Sequence, residues 1–184
     1  MAELTIPGTQ PLTHPILEND YASEWMGVEV LALRNGHATI RMTLRREMLN
    51  GFGIAHGGMI FAFADTAFAL ACNPVHPGHS GNAATSSHTI TVAAGVDITF
   101  LKPAYPGQVI TAVADLRAKA GRTGLYDIQI YAADAGTPPA LPSPDSSSDS
   151  SSDSSSDSSA PEAAVPPGEL VAEFRGRSRT ITKK

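Results

Sequence analysis

Residues 50–73 read NGFGIAHGGMIFAFADTAFALACN. Gly51, Gly53, Gly57 and Gly58 make the first nine residues a loop. From Met59 to Cys72 the chain is rich in Ala, Phe, Met and Leu, a composition that favours a helix, and Pro74 ends it. This helix is apolar on almost every side, so it is expected to be buried all round. A sheet wrapped around it would do that. Asp65 breaks the pattern, in mid-helix among Phe61, Ala62, Phe63, Ala64, Ala67, Phe68 and Ala69. A carboxylate there is expensive to bury unless it is hydrogen-bonded or put to chemical use. The structural alternative is a carboxylate that caps something or reaches solvent.

The residues just before the helix favour chemical use. His56-Gly57-Gly58 stands at the helix start, where backbone N–H groups lack partners within the helix. Glycines leave no side chain to block an approaching ligand. A carbonyl oxygen placed there meets aligned donors and the positive end of the helix dipole. That arrangement stabilises an oxyanion. Joined to an in-helix carboxylate, it reads as a hydrolytic site.

Outward from this segment, the remaining elements are mostly strands. Pro15 to Met26 reads as a short helix with Ile16, Tyr21, Trp25 and Met26 on one face. Gly27 to Leu33 and His37 to Leu44 read as antiparallel strands joined at Asn35-Gly36, a strong hairpin turn signal. The second alternates as Ala38, Ile40, Met42 and Leu44. Further strands are expected over Ile90 to Leu101, Val109 to Leu116, Leu125 to Ala132 and Leu170 to Ile181. Runs of strands with one segregated helix argue an α+β fold with an antiparallel sheet. Residues 1–14 read as a flexible arm and 15–181 as one domain. Within it, 134–169 is a Ser/Asp/Pro-rich insertion that cannot bury enough apolar surface to become ordered. It reads as an inert expanded loop, with a phosphoacceptor or solubility segment as the functional alternative.

Composition sets the outer bounds. The chain has 184 residues, 42% hydrophobic and 17% charged, enough apolar material for a real core. Its net charge of −5 argues against nucleic acid as partner. Asp145, Asp149, Asp153 and Asp157 lie in the serine run. Without them 14 acids face 13 bases, so the folded part is nearly neutral. One cysteine, Cys72, excludes an internal disulfide framework and reads as a small buried hydrophobe rather than a nucleophile. The longest apolar run is too short to span a bilayer. With no secretory signal at the N-terminus, the expected compartment is the cytoplasm.

With Asp97-Ile98-Thr99-Phe100-Leu101-Lys102-Pro103, Arg122-Thr123-Gly124-Leu125-Tyr126-Asp127-Ile128 and Phe174-Arg175-Gly176-Arg177-Ser178, the segment 50–73 closely resembles the hotdog-fold acyl-CoA thioesterases of the PaaI type, from phenylacetate degradation. The resemblance covers roughly residues 15–133 and 169–181. It implies a hotdog, a sheet wrapped around the long helix, paired as a homodimer or homotetramer with active sites at the subunit interface. It implies hydrolysis of phenylacetyl-CoA or hydroxyphenylacetyl-CoA with no cofactor and no metal. By the same resemblance Asp65 is the catalytic carboxylate, as base or nucleophile, and Gly57, with Gly58 nearby, offers the backbone N–H that polarises the carbonyl. Asn50 and His56 match positions that place substrate or water, and Thr66 is a candidate beside Asp65. The carboxylate faces the opposite subunit's loop, so a monomer should be inactive. The chain departs from the family pattern in a longer 76–88 connection and in the Ser/Asp insertion.

Coenzyme A carries phosphates, so cations are expected at the channel mouth. Arg122, Arg175 and Arg177 are the chosen candidates, with Arg117, Lys119 and Arg179 beside them. A solvated strand face is the plainer reading of each. Phe61, Phe63 and Phe68 are candidates for lining an acyl pocket, Phe61 the chosen one, with plain core as the commoner reading of most of them. His76, His79 and His88 lack a supporting carboxylate for a metal. Neither Gly78-His79-Ser80-Gly81 nor Gly51-Phe52-Gly53 completes a catalytic or dinucleotide motif. Two other functions stay open: a non-catalytic acyl-CoA sensor or regulator, and a hydratase, which would want a His as well as an Asp within the helix region.

Overall fold

A computed structural model of the chain describes residues 12–74, 89–137, 166 and 168–182. The 76–88 connection, its three histidines, the first eleven residues of the arm and most of the 134–169 insertion lie outside the described residues. The near end of the insertion is a turn in which Thr137 donates through its amide and its hydroxyl to the Asp134 carbonyl.

Six strands form one antiparallel sheet: β1 (Glu29–Arg34), β2 (His37–Thr43), β3 (Thr89–Phe100), β4 (Val109–Ala120), β5 (Thr123–Ala133) and β6 (Glu169–Thr182). Their order across the sheet is β1-β2-β4-β5-β6-β3, so β1 and β3 are the edges. Gly36, at positive φ, closes the β1–β2 hairpin as expected from Asn35-Gly36. The period-two reading of β2 holds: Ala38, Ile40 and Met42 are fully buried, and Leu44 continues the row. β4 and β5 run longer than the sequence suggests, because they pair until the turn at Gly121-Arg122, whereas β6 exceeds its expected bounds by one residue at each end.

The sheet wraps around α2 (Gly57–Cys72), which contacts all six strands. Phe63 and Phe68 are buried on its core side, and Phe68 packs edge-on against Tyr126 and tilted against Phe174. Gly176 of β6 lies beneath Phe68: a Cβ there would sit 2.7 Å from the ring. Asn73 caps the far end. Its amide donates to Ala69 O and Thr91 O and accepts from Thr91 N, tying the helix to β3.

The expected helix over Pro15 to Met26 is two pieces, a 3-10 turn over Pro15–Asn19 and α1 (Tyr21–Met26). Asp20 leaves helical backbone geometry, and its carboxylate accepts from Ser23 N, starting a new helix. The expected shared face does not form: Met26 is buried, whereas Ile16, Tyr21 and Trp25 are exposed. His14 anchors this region. Its Nδ1 accepts from Ile16 N, and its Nε2 bonds Asn73 O at 2.7 Å.

Candidate active site

Burial of α2 differs from expectation in one respect that matters for chemistry. Ile60, Phe63, Ala64, Ala67, Phe68, Leu70, Ala71 and Cys72 are buried, but Phe61, Ala62, Asp65, Thr66 and Ala69 are only half-buried and Gly58 is exposed. These residues recur at helical spacing and form one stripe. An apolar helix inside a single sheet therefore keeps one side uncovered, and Asp65 lies on it.

Asp65 makes no hydrogen bond and no ion pair among the described residues. It is not capping anything. Burial pushes its carboxyl above the ordinary aspartate value. A half-buried carboxylate with no structural partner is available as a proton acceptor.

The helix start supplies donors. The expected cluster of free amides is narrower than the glycines suggest, because His56 Nδ1 accepts from Gly58 N at 3.0 Å and occupies that donor. The Gly57 amide has no partner among the described residues. His56 is thus an N-cap residue, and its accepting Nδ1 puts the imidazole proton on Nε2. Asn50 shapes the loop before it. Its Oδ1 accepts from Phe52 N at 2.9 Å and Ile54 N at 3.4 Å, which leaves its side-chain NH2 free among the described residues.

Thr66 is committed to structure. Ser23 Oγ gives its proton to Asp20 Oδ2 at 2.7 Å, so in the 3.0 Å contact between Ser23 and Thr66 the threonine donates. The same hydroxyl also reaches Ala62 O at 3.2 Å. It has lone pairs for a ligand but no spare proton, and its contacts dock α1 onto α2. Phe61 meets Phe174 edge-on at 5.5 Å and leaves its other side on the half-open stripe.

The arginines do not gather beside Asp65. Phe174, Gly176 and Ser178 of β6 point inward, so Arg175 and Arg177 stand on the outer face of the sheet. Arg175 pairs with Asp127 at 2.7 Å, Arg117 joins the same carboxylate at 3.0 Å, and Arg177 pairs with Asp97 at 2.7 Å. The Arg175 and Arg117 hydrogen bonds hold the Asp127 carboxyl below its ordinary value. Arg122 donates through Nε to Thr180 O beside the β4–β5 turn and keeps its terminal nitrogens free among the described residues.

Two further sequence readings meet the structure here. Cys72 is buried, and burial pushes its thiol up to about 12, as for an inert core residue. Among the described residues no three His, Cys, Asp or Glu side chains come together as metal ligands. No described helix is long and apolar enough to cross a membrane.

One contact escapes sequence reasoning. The Phe100 ring lies against Gly57, close enough that a Cβ on Gly57 would meet Cζ at 3.1 Å. Alternation along β3 does put Phe100 on the helix side with Val96 and Ile98. Which part of the helix it meets is a tertiary fact.

Residues 52–138 match the family described as the thioesterase superfamily. The acyl-coenzyme A thioesterase PaaI of Escherichia coli (strain K12) is 38% identical over 117 residues, covering 64% of this chain and 75% of that protein. The chain belongs to the thioesterase superfamily. The solved structure of the E. coli PaaI protein, from the phenylacetic acid degradation operon, superposes with a TM-score of 0.63 at 30% identity, covering 92% of this chain and 90% of that one. The TT0310 protein of Thermus thermophilus gives a TM-score of 0.59 at 25% identity, over 88% and 97% of the two chains. This thioesterase is therefore a thioester hydrolase with the hotdog fold expected from residues 50–73. Asp65 and the open Gly57 amide both fall within the matched region.

Proposed function

We propose that the protein hydrolyses acyl-CoA thioesters, with phenylacetyl-CoA or hydroxyphenylacetyl-CoA as substrate, at a site built from two copies of the chain. The observation that carries this is the presence on one helix of a carboxylate and a helix-start amide that both lack partners among the described residues. The similarity to an E. coli protein named as an acyl-coenzyme A thioesterase supports the substrate class.

Elementary helix geometry argues for two copies. Gly57 and Asp65 are eight residues apart, about 12 Å along the axis. A carbonyl hydrogen-bonded to the Gly57 amide is beyond reach of Asp65 on the same helix. A two-fold axis passing near Phe61, midway between them, brings Gly57 of each copy opposite Asp65 of the other. The half-open stripe of α2 and the edge strand β3, which among the described strands pairs only with β6, are the surfaces such a pair would use.

In this arrangement the thioester carbonyl accepts from Gly57 N–H. Asp65 of the other copy takes a proton from water, and the water oxygen bonds to the carbonyl carbon. The charge that develops on the carbonyl oxygen is held by the amide and the helix dipole. The tetrahedral intermediate collapses, the C–S bond breaks, and the thiolate leaves without needing a strong general acid. A carboxylate with a raised pKa is a better base than a free one. Asn50, through its free NH2, and His56, through Nε2–H, position water or substrate. Gly58 lets the thioester approach. Phe61 and Thr66 line the stripe. Arg122, with its free terminal nitrogens, and Arg175 and Arg177, which would have to share theirs with carboxylates, are assigned to the CoA phosphates.

The test is free-thiol release across a panel of aromatic and aliphatic acyl-CoAs. The expected result is turnover, fastest with arylacetyl thioesters. Tight acyl-CoA binding with no thiol release from any of them would contradict the proposal and favour a sensor.

A further inference from the structure

We propose that Phe100 is the specificity-determining residue of this site, the wall against which an aromatic acyl group packs. The inference rests on the reading of Gly57 as the carbonyl-binding amide. Three observations carry it. The tip of the Phe100 ring touches Gly57, within 3.1–3.5 Å of where a Cβ would lie, so a carbonyl bound at the Gly57 amide has this ring as its neighbour. Phe100 is 51% exposed as a residue, an unusual state for phenylalanine, with area left for a ligand to cover. It also continues an apolar row. Ile98, two residues back on the same face, pairs in register with Phe174, and Phe174 carries Phe61 edge-on. Ile98, Val96 and Phe61 are all partly buried against the core.

β3 is an edge of the sheet, so among the described residues only β6 lies beside it. The row from Phe100 through Ile98 and Phe174 ends at Phe61, on the half-open side of α2. An aromatic acyl group whose carbonyl sits on Gly57 would place its ring within reach of Phe100, where offset or edge-on aromatic contact adds to simple burial. A linear acyl chain of similar size buries area but gains no such contact. The effect should appear as selectivity, with the chemical step unchanged.

The test uses Phe100→Leu and Phe100→Ala in the full chain, with kcat/KM measured for phenylacetyl-CoA and hexanoyl-CoA. The account predicts that Phe100→Leu lowers the phenylacetyl-to-hexanoyl ratio about tenfold, the scale of one aromatic pair, because the loss falls more heavily on phenylacetyl-CoA than on hexanoyl-CoA. Phe100→Ala should lower the ratio at least as far. Binding of the non-hydrolysable keto-thioether analogue of phenylacetyl-CoA, read by calorimetry, should weaken in parallel. Equal losses on both substrates, or no loss on either, would overturn the inference. So would dissociation of the variants in sedimentation with loss of all activity, which would make Phe100 an assembly contact. If the wild type hydrolyses no thioester but binds the analogue in a Phe100-dependent way, the functional reading fails and this inference stands.

Discussion

At the scale of the residue, Asp65 is the proposed base, and its surroundings make it a burden on the fold. Burial raises its pKa with no partner to oppose the shift. The folded state then holds the proton more tightly than the unfolded chain does. The ionised carboxylate thus destabilises the fold above its folded pKa, and the penalty is relieved as pH falls through it. Asp65→Asn should lower kcat/KM by about 10²–10⁴, the usual contribution of a positioned base, while its urea midpoint at pH 7 equals or exceeds that of wild type. The acid limb of the wild-type pH–rate profile should lie above the ordinary aspartate range. An Asp65→Asn protein that unfolds would instead give Asp65 a structural role. Asp65 was legible in the sequence because a carboxylate inside an apolar helix is conspicuous. That His56 occupies the Gly58 amide was not, because capping geometry depends on a rotamer.

At the scale of the element, α2 is defined by what it can approach. Its composition announced a buried helix, and its half-open stripe was hidden because apolar residues cover that side too. The close fit against β6 depends on Gly176. Phe68 is itself buried and cannot swing away from a methyl group that would stand 2.7 Å from its ring. Gly176→Ala should destabilise the protein by about 1–3 kcal/mol through overpacking. Gly51→Ala, where nothing lies within 4 Å, should be close to neutral. Chemical denaturation of the two variants checks the contrast, and equal midpoints would contradict it. The arginines show the limit of motif reading at this scale. Period-two alternation sets Arg175 and Arg177 apart from Phe174 and Gly176. Their pairing with Asp127 and Asp97 depends on cross-strand register, which alternation alone does not reveal.

At the scale of the whole molecule, the proposed site needs two copies of the chain, since Gly57 and Asp65 stand about 12 Å apart along one helix. The succession of strands along the chain and the wrapped helix were within reach of sequence patterns and family resemblance; the order of the strands across the sheet was not. The break at Asp20 and the contact of Phe100 with Gly57 were not, because both depend on packing between distant segments. Complementation between two disabled chains tests the shared site most directly. Gly57→Pro removes the amide donor at the first helical position, where the backbone suits proline, and the tip of the Phe100 ring must give slightly to admit its Cβ. His56, with ψ of 128°, already has the extended geometry that a following proline requires. Gly57→Pro alone should lose about 10²–10³ in rate, and Asp65→Asn alone should be similarly crippled. Co-expressed in equal amounts with different tags, the two should form mixed dimers in which the Asp65→Asn chain supplies the intact amide and the Gly57→Pro chain supplies the carboxylate. Random two-fold pairing restores one site in four, so the mixture should recover about a quarter of wild-type thiol release from phenylacetyl-CoA. Activity no greater than that of the two parents, in a sample shown to contain the mixed dimer, would contradict the account.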